Sequence, residues 1–193
     1  MALVLDGGAN TITNLVINSA NITDGSIVNA DINASAAIAS SKIAGGLGKI
    51  LQVVSVTKTD TQSFLSTSFA DISGLSASIT LSNSSNKVFI LANIYTSKGS
   101  VAEIINFVRD STNIAQPSGS ATREATLFGY NSATLNMQTQ SMSFLDTEND
   151  TNAHTYKLQL KGTNTNAYIY VNRYYGSDDY YGVSTLTLME VAA

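Results

Sequence analysis

Isoleucine returns every fifth residue near the start of the chain, at Ile12, Ile17, Ile22, Ile27 and Ile32, and then at Ile38 and Ile43 after a slip of one. This spacing fits neither regular element. An amphipathic helix places apolar residues at i, i+3, i+4 and i+7, and a half-buried strand alternates, so a five-residue period describes turns stacked along an axis. Burying each isoleucine contributes roughly 1.5–3 kcal/mol, whereas ordering each residue between them costs about 1–2 kcal/mol. One copy of such a segment does not order itself. Identical copies, each isoleucine facing its symmetry mates, supply the missing apolar surface, so the ladder reads as the core of a stalk or anchoring arm in an oligomer.

The spacers Asn21, Thr23, Asp24, Gly25, Ser26, Asn29, Asp31 and Asn33 are turn formers. A short apolar stretch, Ala2 to Leu5, precedes the ladder and is closed by the turn signal Asp6-Gly7-Gly8. The alanine-rich run ASAAIASSKIA leaves a short helix open as an alternative to turns. Gly45-Gly46-Leu47-Gly48 then reads as a hinge, dividing an extended arm (1–48) from a head (49–193).

From Lys49 onward the period becomes two. Strands are predicted at Ile50 to Thr57, Phe64 to Ile72, Ala77 to Leu81, Lys87 to Thr96, Ile104 to Arg109, Ala125 to Tyr130, Leu135 to Leu145, His154 to Lys161, Ala167 to Arg173 and Ser184 to Val191. Many short strands between turns describe an all-β sandwich. In the fourth, Val88, Ile90, Ala92 and Ile94 alternate with Phe89, Leu91, Asn93 and Tyr95, so both faces are substantially apolar. Such a strand fits a sheet that also packs against neighbouring subunits. The stretch VAEIINFV competes as a helix, but its β-branched residues favour a strand.

Composition narrows the function. A length of 193 residues suits one domain plus an extension. Charged residues are 12% of the chain and the net charge is −4, which is far from the basic footprint of a nucleic-acid binder. Ser, Thr and Asn make up about a third of the residues, so hydroxyls and amides wet the surface. The absence of cysteine removes disulfides, thiolate metal sites and thiol nucleophiles. The start lacks a basic region followed by an apolar run, so no secretory signal is expected, and no stretch approaches the ~18 apolar residues of a membrane span. A soluble product, made in a cytoplasm and without membrane insertion, is expected.

Three stretches resemble known sequences. NITDGSIVNADINASAAIASSKIAG resembles the stalks of tailed-bacteriophage fibre and virion appendage proteins, and MALVLDG resembles their amino-terminal starts. HTYKLQLKGTNTNAYIYVNRYYGSDDYYGVSTLTLMEV resembles the carboxy-terminal head domains of phage virion proteins, through its YKLQLKG strand, Asn172-Arg173, an acidic loop and a closing STLTLMEV strand. That head is similar to the trimeric jelly roll of the tumour necrosis factor and complement globular-head superfamily. The resemblance implies a homotrimer whose partners are other virion proteins of the tail or capsid, and a bacterial surface glycan as a further partner.

Sites are sparse. His154, the single histidine, reads as a strand-edge residue, since a triad requires geometry that spacing does not supply. Asp146, Glu148 and Asp150 begin like a calcium loop, but Thr151 stands where glycine is needed and Lys157 where glutamate is needed, leaving a solvated hairpin loop. Gly45-Gly46-Leu47-Gly48 lacks the Lys and Ser/Thr of a phosphate loop. The best candidate is Tyr174, Tyr175, Asp178, Asp179, Tyr180 and Tyr181, a loop between strong strands that reads either as a subunit contact or as a grip on a glycan. Arg173 is expected to pair with Asp178 or Asp179. No catalytic, cofactor or metal site is expected. The leading expectation is a phage tail or head fibre with an adhesive head, the runner-up a capsid decoration protein, and a polysaccharide-degrading enzyme stands last.

Overall fold

The computed structural model describes residues 22, 27–28, 32–33, 36, 49–118, 127–129, 136–147 and 150–193, and the chain divides into two compact units, Met1–Leu47 and Gly48–Ala193. Among the described residues every regular element is a strand: β1 (Ile50–Lys58), β2 (Gln62–Phe64), β3 (Ala70–Thr80), β4 (Lys87–Lys98), β5 (Glu103–Arg109), β6 (Thr112–Ile114), β7 (Leu127–Gly129), β8 (Gln138–Asp146), β9 (Ala153–Gly162), β10 (Ile169–Val171) and β11 (Ser184–Val191). With the short β2, β6 and β10 set aside, the pairings nest: β1 with β11, β3 with β9, β4 with β8, β5 with β7. This is one long antiparallel ribbon. Wrapping it brings β11 beside β4 and β9 beside β5, which makes a front sheet β1-β11-β4-β8 and a back sheet β3-β9-β5-β7. Two sheets so related form a jelly roll.

Alternation decides which side chains meet between the sheets. Val88, Ile90, Ala92 and Ile94 of β4 are buried with Leu186 and Leu188 of β11, facing Ile105 and Phe107 of β5 and Tyr156, Leu158 and Leu160 of β9 in one apolar cluster. The stretch 101–108 supplies β5 as its β-branched residues predict.

The predicted strand Phe64 to Ile72 does not exist as one element. β2 stops at Phe64, whereas β3 begins at Ala70 and runs through Ser73-Gly74 to Thr80, taking in much of what the spacing divides off as Ala77 to Leu81. The cause is a bulge: register slips between Asp71 and Ser76, and Gly74 adopts φ +82°. Four residues of β3 stand there against one of β9, so three extra residues leave the ladder without ending it. The hairpin from β5 to β6, absent from the sequence reading, turns through Asp110 at φ +54°.

Asn172 joins the front sheet where two of its strands are interrupted. β2 and β10 extend the sheet beyond the ends of β1 and β11, with β10 pairing to Thr96, Ser97 and Lys98 of β4. Between β10 and β11 the chain makes an excursion over residues 172–183. Asn172, fully buried, sits at its base with φ +58°, a conformation that Asn tolerates better than most residues. Its Nδ2 donates to the carbonyls of Lys58 (2.7 Å) and Asp60 (3.1 Å), and its Oδ1 accepts from Ser184 Oγ (2.6 Å). One amide thus stands in for the ladder bonds lost at both breaks.

The opposite end, here called the root, is where the chain comes in at Lys49 and where it finishes, with Ala192 N donating to Lys49 O. Glu190, also buried, accepts there from Gln52 Nε2, from Ser82 N and Oγ, and from Asn86 Nδ2, each at 2.7 Å. Burial opposes its charge, but the bonds from Ser82, Asn86 and Gln52 outweigh it and hold the carboxyl at about 2. The β3–β4 turn is tied in this way to β1 and β11.

Asn172→Ala is expected to cost at least about 2 kcal/mol in urea unfolding, because it strands two carbonyls and a hydroxyl; Asn172→Gly, which relieves the backbone but restores no bond, should recover only part of that. A carboxyl lowered on folding stabilises above its unfolded pKa and loses that contribution as pH falls. Glu190→Gln should therefore destabilise by about 2–4 kcal/mol at pH 7, with the gap to the parent closing between about pH 4.5 and 2. Urea unfolding across that range checks it.

Candidate functional site: the outer face of the front sheet

The outward residues of the front sheet fall into three bands. Inside an outermost pair at the root, Val191↔Lys87, the pairs Val53↔Met189, Met189↔Phe89 and Phe89↔Leu145 form an unbroken apolar row across β1, β11, β4 and β8. Val53 is 56% and Leu145 40% exposed, and Ile50 and Leu51 beside them are also open. Next come Ser55, Thr187, Leu91 and Ser143, then Thr57, Thr185, Asn93 and Ser141. Their hydroxyls and amides bond across strands, Ser55 Oγ with Thr187 Oγ1 at 2.9 Å and Ser141 Oγ donating to Asn93 Oδ1 at 2.7 Å. Apart from Lys87, none of these outward residues is charged.

The third band is aromatic and holds seven of the chain's nine tyrosines: Tyr95, Tyr168, Tyr170, Tyr174, Tyr175, Tyr180 and Tyr181. Tyr168 and Tyr170, two apart on an extended segment and so on one face, stack at 5.8 Å. Tyr175 meets Tyr170 edge-on at 5.5 Å, and the Arg173 guanidinium lies 4.4 Å from the centre of the Tyr170 ring while pairing with Asp178. Tyr174 meets Tyr180 edge-on at 5.8 Å, and Tyr174 N donates to Tyr180 O. Glycines make room for this layer. A Cβ at Gly99 would lie 2.6 Å from Ala167 Cβ and 2.8 Å from Tyr175 Oη, and one at Gly182 would lie 2.7 Å from the Tyr95 ring.

The excursion therefore folds back on the sheet, and residues 174–181 divide into packed and open parts. Tyr174 and Tyr175 are half-buried packing residues, whereas Tyr180 and Tyr181 are about three-fifths open and Asp178 and Asp179 are exposed. Arg173 takes Asp178 as its partner, one of the two expected.

Of the ladder, Ile22, Ile27 and Ile32 are 43%, 55% and 41% exposed in the single chain. Ile12, Ile17, Ile38 and Ile43 lie outside the described residues, as do the Gly45 to Gly48 hinge, Glu148 and most of the alanine-rich run. Asp146 is unavailable to a calcium loop because it is buried, with Arg109 Nη1 at 2.7 Å and Tyr156 Oη donating at 2.9 Å. Burial, seconded by Asp146, pushes the Tyr156 phenol up. Beside this network a cavity of about 210 Å³ opens between β6 and β8, lined by Asn113, Ile114 and Phe144. Among the described residues no group of three or more His, Asp or Glu is placed to hold a metal ion. No helix among them is long and apolar enough to cross a membrane.

No family model matches the chain, and no curated protein matches it in sequence. Among solved structures, the structure of infectious bursal disease virus Gx strain is similar at a TM-score of 0.36 and 13% identity, over 74% of this chain and 37% of that one. The chain thus spans little more than a third of the length of that match.

Gly99→Ala is expected to displace Tyr175 and lower stability by about 1–3 kcal/mol, the usual cost of overpacking. Thermal unfolding checks it, and adding Tyr175→Ala should recover part of the loss, since the two groups compete for one space.

Proposed function

We propose that the chain is a structural protein of a bacteriophage particle: a homotrimer that docks through its amino-terminal arm and presents the jelly-roll head outward, without catalytic activity. The observation that carries the oligomer is the broad uncharged stretch of the outer face of the front sheet, which runs from the apolar row to the tyrosines and carries charge only at its margins, Lys87 at the root and the Arg173–Asp178 pair in the aromatic layer. The centre of a protein interface is depleted of charge and enriched in Tyr, Phe and Met, all present here. Three described ladder isoleucines open to solvent add apolar surface that further copies would cover. The virion setting rests on the sequence resemblance of residues 21–45 and 154–191 to phage appendage proteins. The partners are two further copies and the particle. The open Tyr180 and Tyr181, next to Asp179, are the part of the head suited to a bacterial surface glycan.

Light scattering on the purified chain should give a trimer at micromolar concentration. Val53→Asp with Leu145→Asp places charge at two exposed ends of the apolar row and should yield folded monomers; a parent chain that is itself a stable monomer would sink the reading. Ile22, Ile27 and Ile32 changed together to Ser should make the arm sensitive to limited proteolysis while the head stays resistant. Tyr180→Ala with Tyr181→Ala should weaken adsorption of particles and leave trimers intact; dissociation without loss of adsorption would make these tyrosines interface residues. Antibody labelling of intact particles separates the placements, because label over the head shell would favour capsid decoration over a fibre.

A further inference from the structure

At the root, His154 lies between two carboxylates on different loops. Its Nδ1 is 2.8 Å from Asp110 Oδ2 in the β5–β6 turn, and its Nε2 is 3.0 Å from Asp150 Oδ1 in the segment leading into β9. Ionised carboxylates only accept hydrogen bonds, and a neutral imidazole carries a single N–H. Only the imidazolium can donate to both. Loss of its proton sets a ring lone pair against a carboxylate, so one of the two contacts must open.

The surroundings decide which one. Asp110 is anchored to β9, with Oδ1 accepting from Thr155 N at 2.9 Å and its own N donating to Thr155 O at 2.7 Å. The other bonds of Asp150 stay within its own turn, from Asn152 N at 2.6 Å and Asn152 Nδ2 at 2.8 Å. We propose that His154 is a proton-operated tie: protonated, it clamps the Asp150 turn to the β5–β6 turn, and deprotonated, it keeps Asp110 and releases Asp150.

No other charge among the described residues competes directly for the ring. On β3 the residue opposite His154 is Ile79, and Asp71, the titratable group of that strand, is held by Lys157 and Gln159. Arg109, next to Asp110, is turned to Asp146, and Glu148 lies outside the described residues. The hydrogen bond to Asp110, opposed by partial burial and helped by Asp150, raises the imidazole above its ordinary value of 6.5. Asp110 and Asp150 are lowered below 3.8, Asp110 first by the Thr155 amide and Asp150 first by the Asn152 amide. A raised imidazole stabilises fully below its unfolded pKa and loses that contribution as pH climbs through the folded value; the lowered carboxyls fail only in acid. The tie therefore holds from about pH 4 to about 6.5 and opens above that. It concerns the head alone and does not depend on the proposed virion role.

Proton NMR of the full chain tests it cleanly, because the one histidine gives one Hε1 signal. The expected midpoint lies above 6.5 and falls in Asp150→Asn. The Asn152 amide shift should move with the same midpoint in the parent and stay flat between about pH 6 and 8 in His154→Gln, with the amides of Leu158 to Gly162, in β9 away from the tie, unchanged as a fold control. A midpoint at or below 6.5, or an Asn152 titration that survives His154→Gln, would overturn the tie.

Discussion

Strand β4 is hydrogen-bonded along both edges, to β8 on one side and to β11 followed by β10 on the other, and the rest of the head is arranged around that double pairing. A strand so placed spends all its backbone groups on neighbours, leaving its side chains to decide what the two faces meet. One face is apolar from Val88 to Ile94, where it meets the back sheet, and ends in the buried Thr96 and Lys98. The other runs from Lys87 through Phe89 and Leu91 to Asn93 and Tyr95, and from Phe89 onward its cross-strand partners repeat the gradient on β11, from Met189 to Thr185. The same register that packs the core thus also sorts the outer face into bands.

Charge is rare and mostly local. Lys58 pairs with Asp60, Lys98 with Glu103, Arg109 with Asp146, Lys157 with Asp71 and Arg173 with Asp178. The exposed members of this set add little stability. Lys98 with Glu103 differs, since both are buried and Thr96 and Gln140 also donate to the same Glu103 oxygen. Such a pair does more to specify which strands meet than to stabilise them, because desolvation offsets much of the attraction. Hydroxyls and amides are left to wet the front face, where a neighbouring copy can displace water from them at lower cost than from ions.

Much of this was legible in the sequence, and the parts that were not share a cause. The core strands Lys87 to Thr96, His154 to Lys161 and Ser184 to Val191 announced themselves because alternation is a local signal that burial preserves. Ser73-Gly74 reads as a turn in one dimension, and becomes a bulge only because β9 is there to continue the ladder. The apolar row needs register between four strands, which spacing within any one of them does not encode. Asn172 and His154 are single residues whose roles depend on partners tens of residues away, at Lys58 and Asp110. Arg173 with Asp178 was within reach because both lie on one short loop. The tyrosine loop was visible as composition, but its return onto the sheet depends on Gly99, which is distant in sequence.

The gathering of tyrosines has an optical consequence. The chain has no tryptophan, so its near-ultraviolet absorption and emission come mainly from nine phenols, seven of them in one layer at one end of the front sheet. Rings 5.5–5.8 Å apart couple electronically and exchange excitation. Intrinsic fluorescence of this protein is accordingly weighted toward that layer, with Tyr156 reporting from the core, and a ligand or neighbour covering the layer would change the larger part of the spectrum.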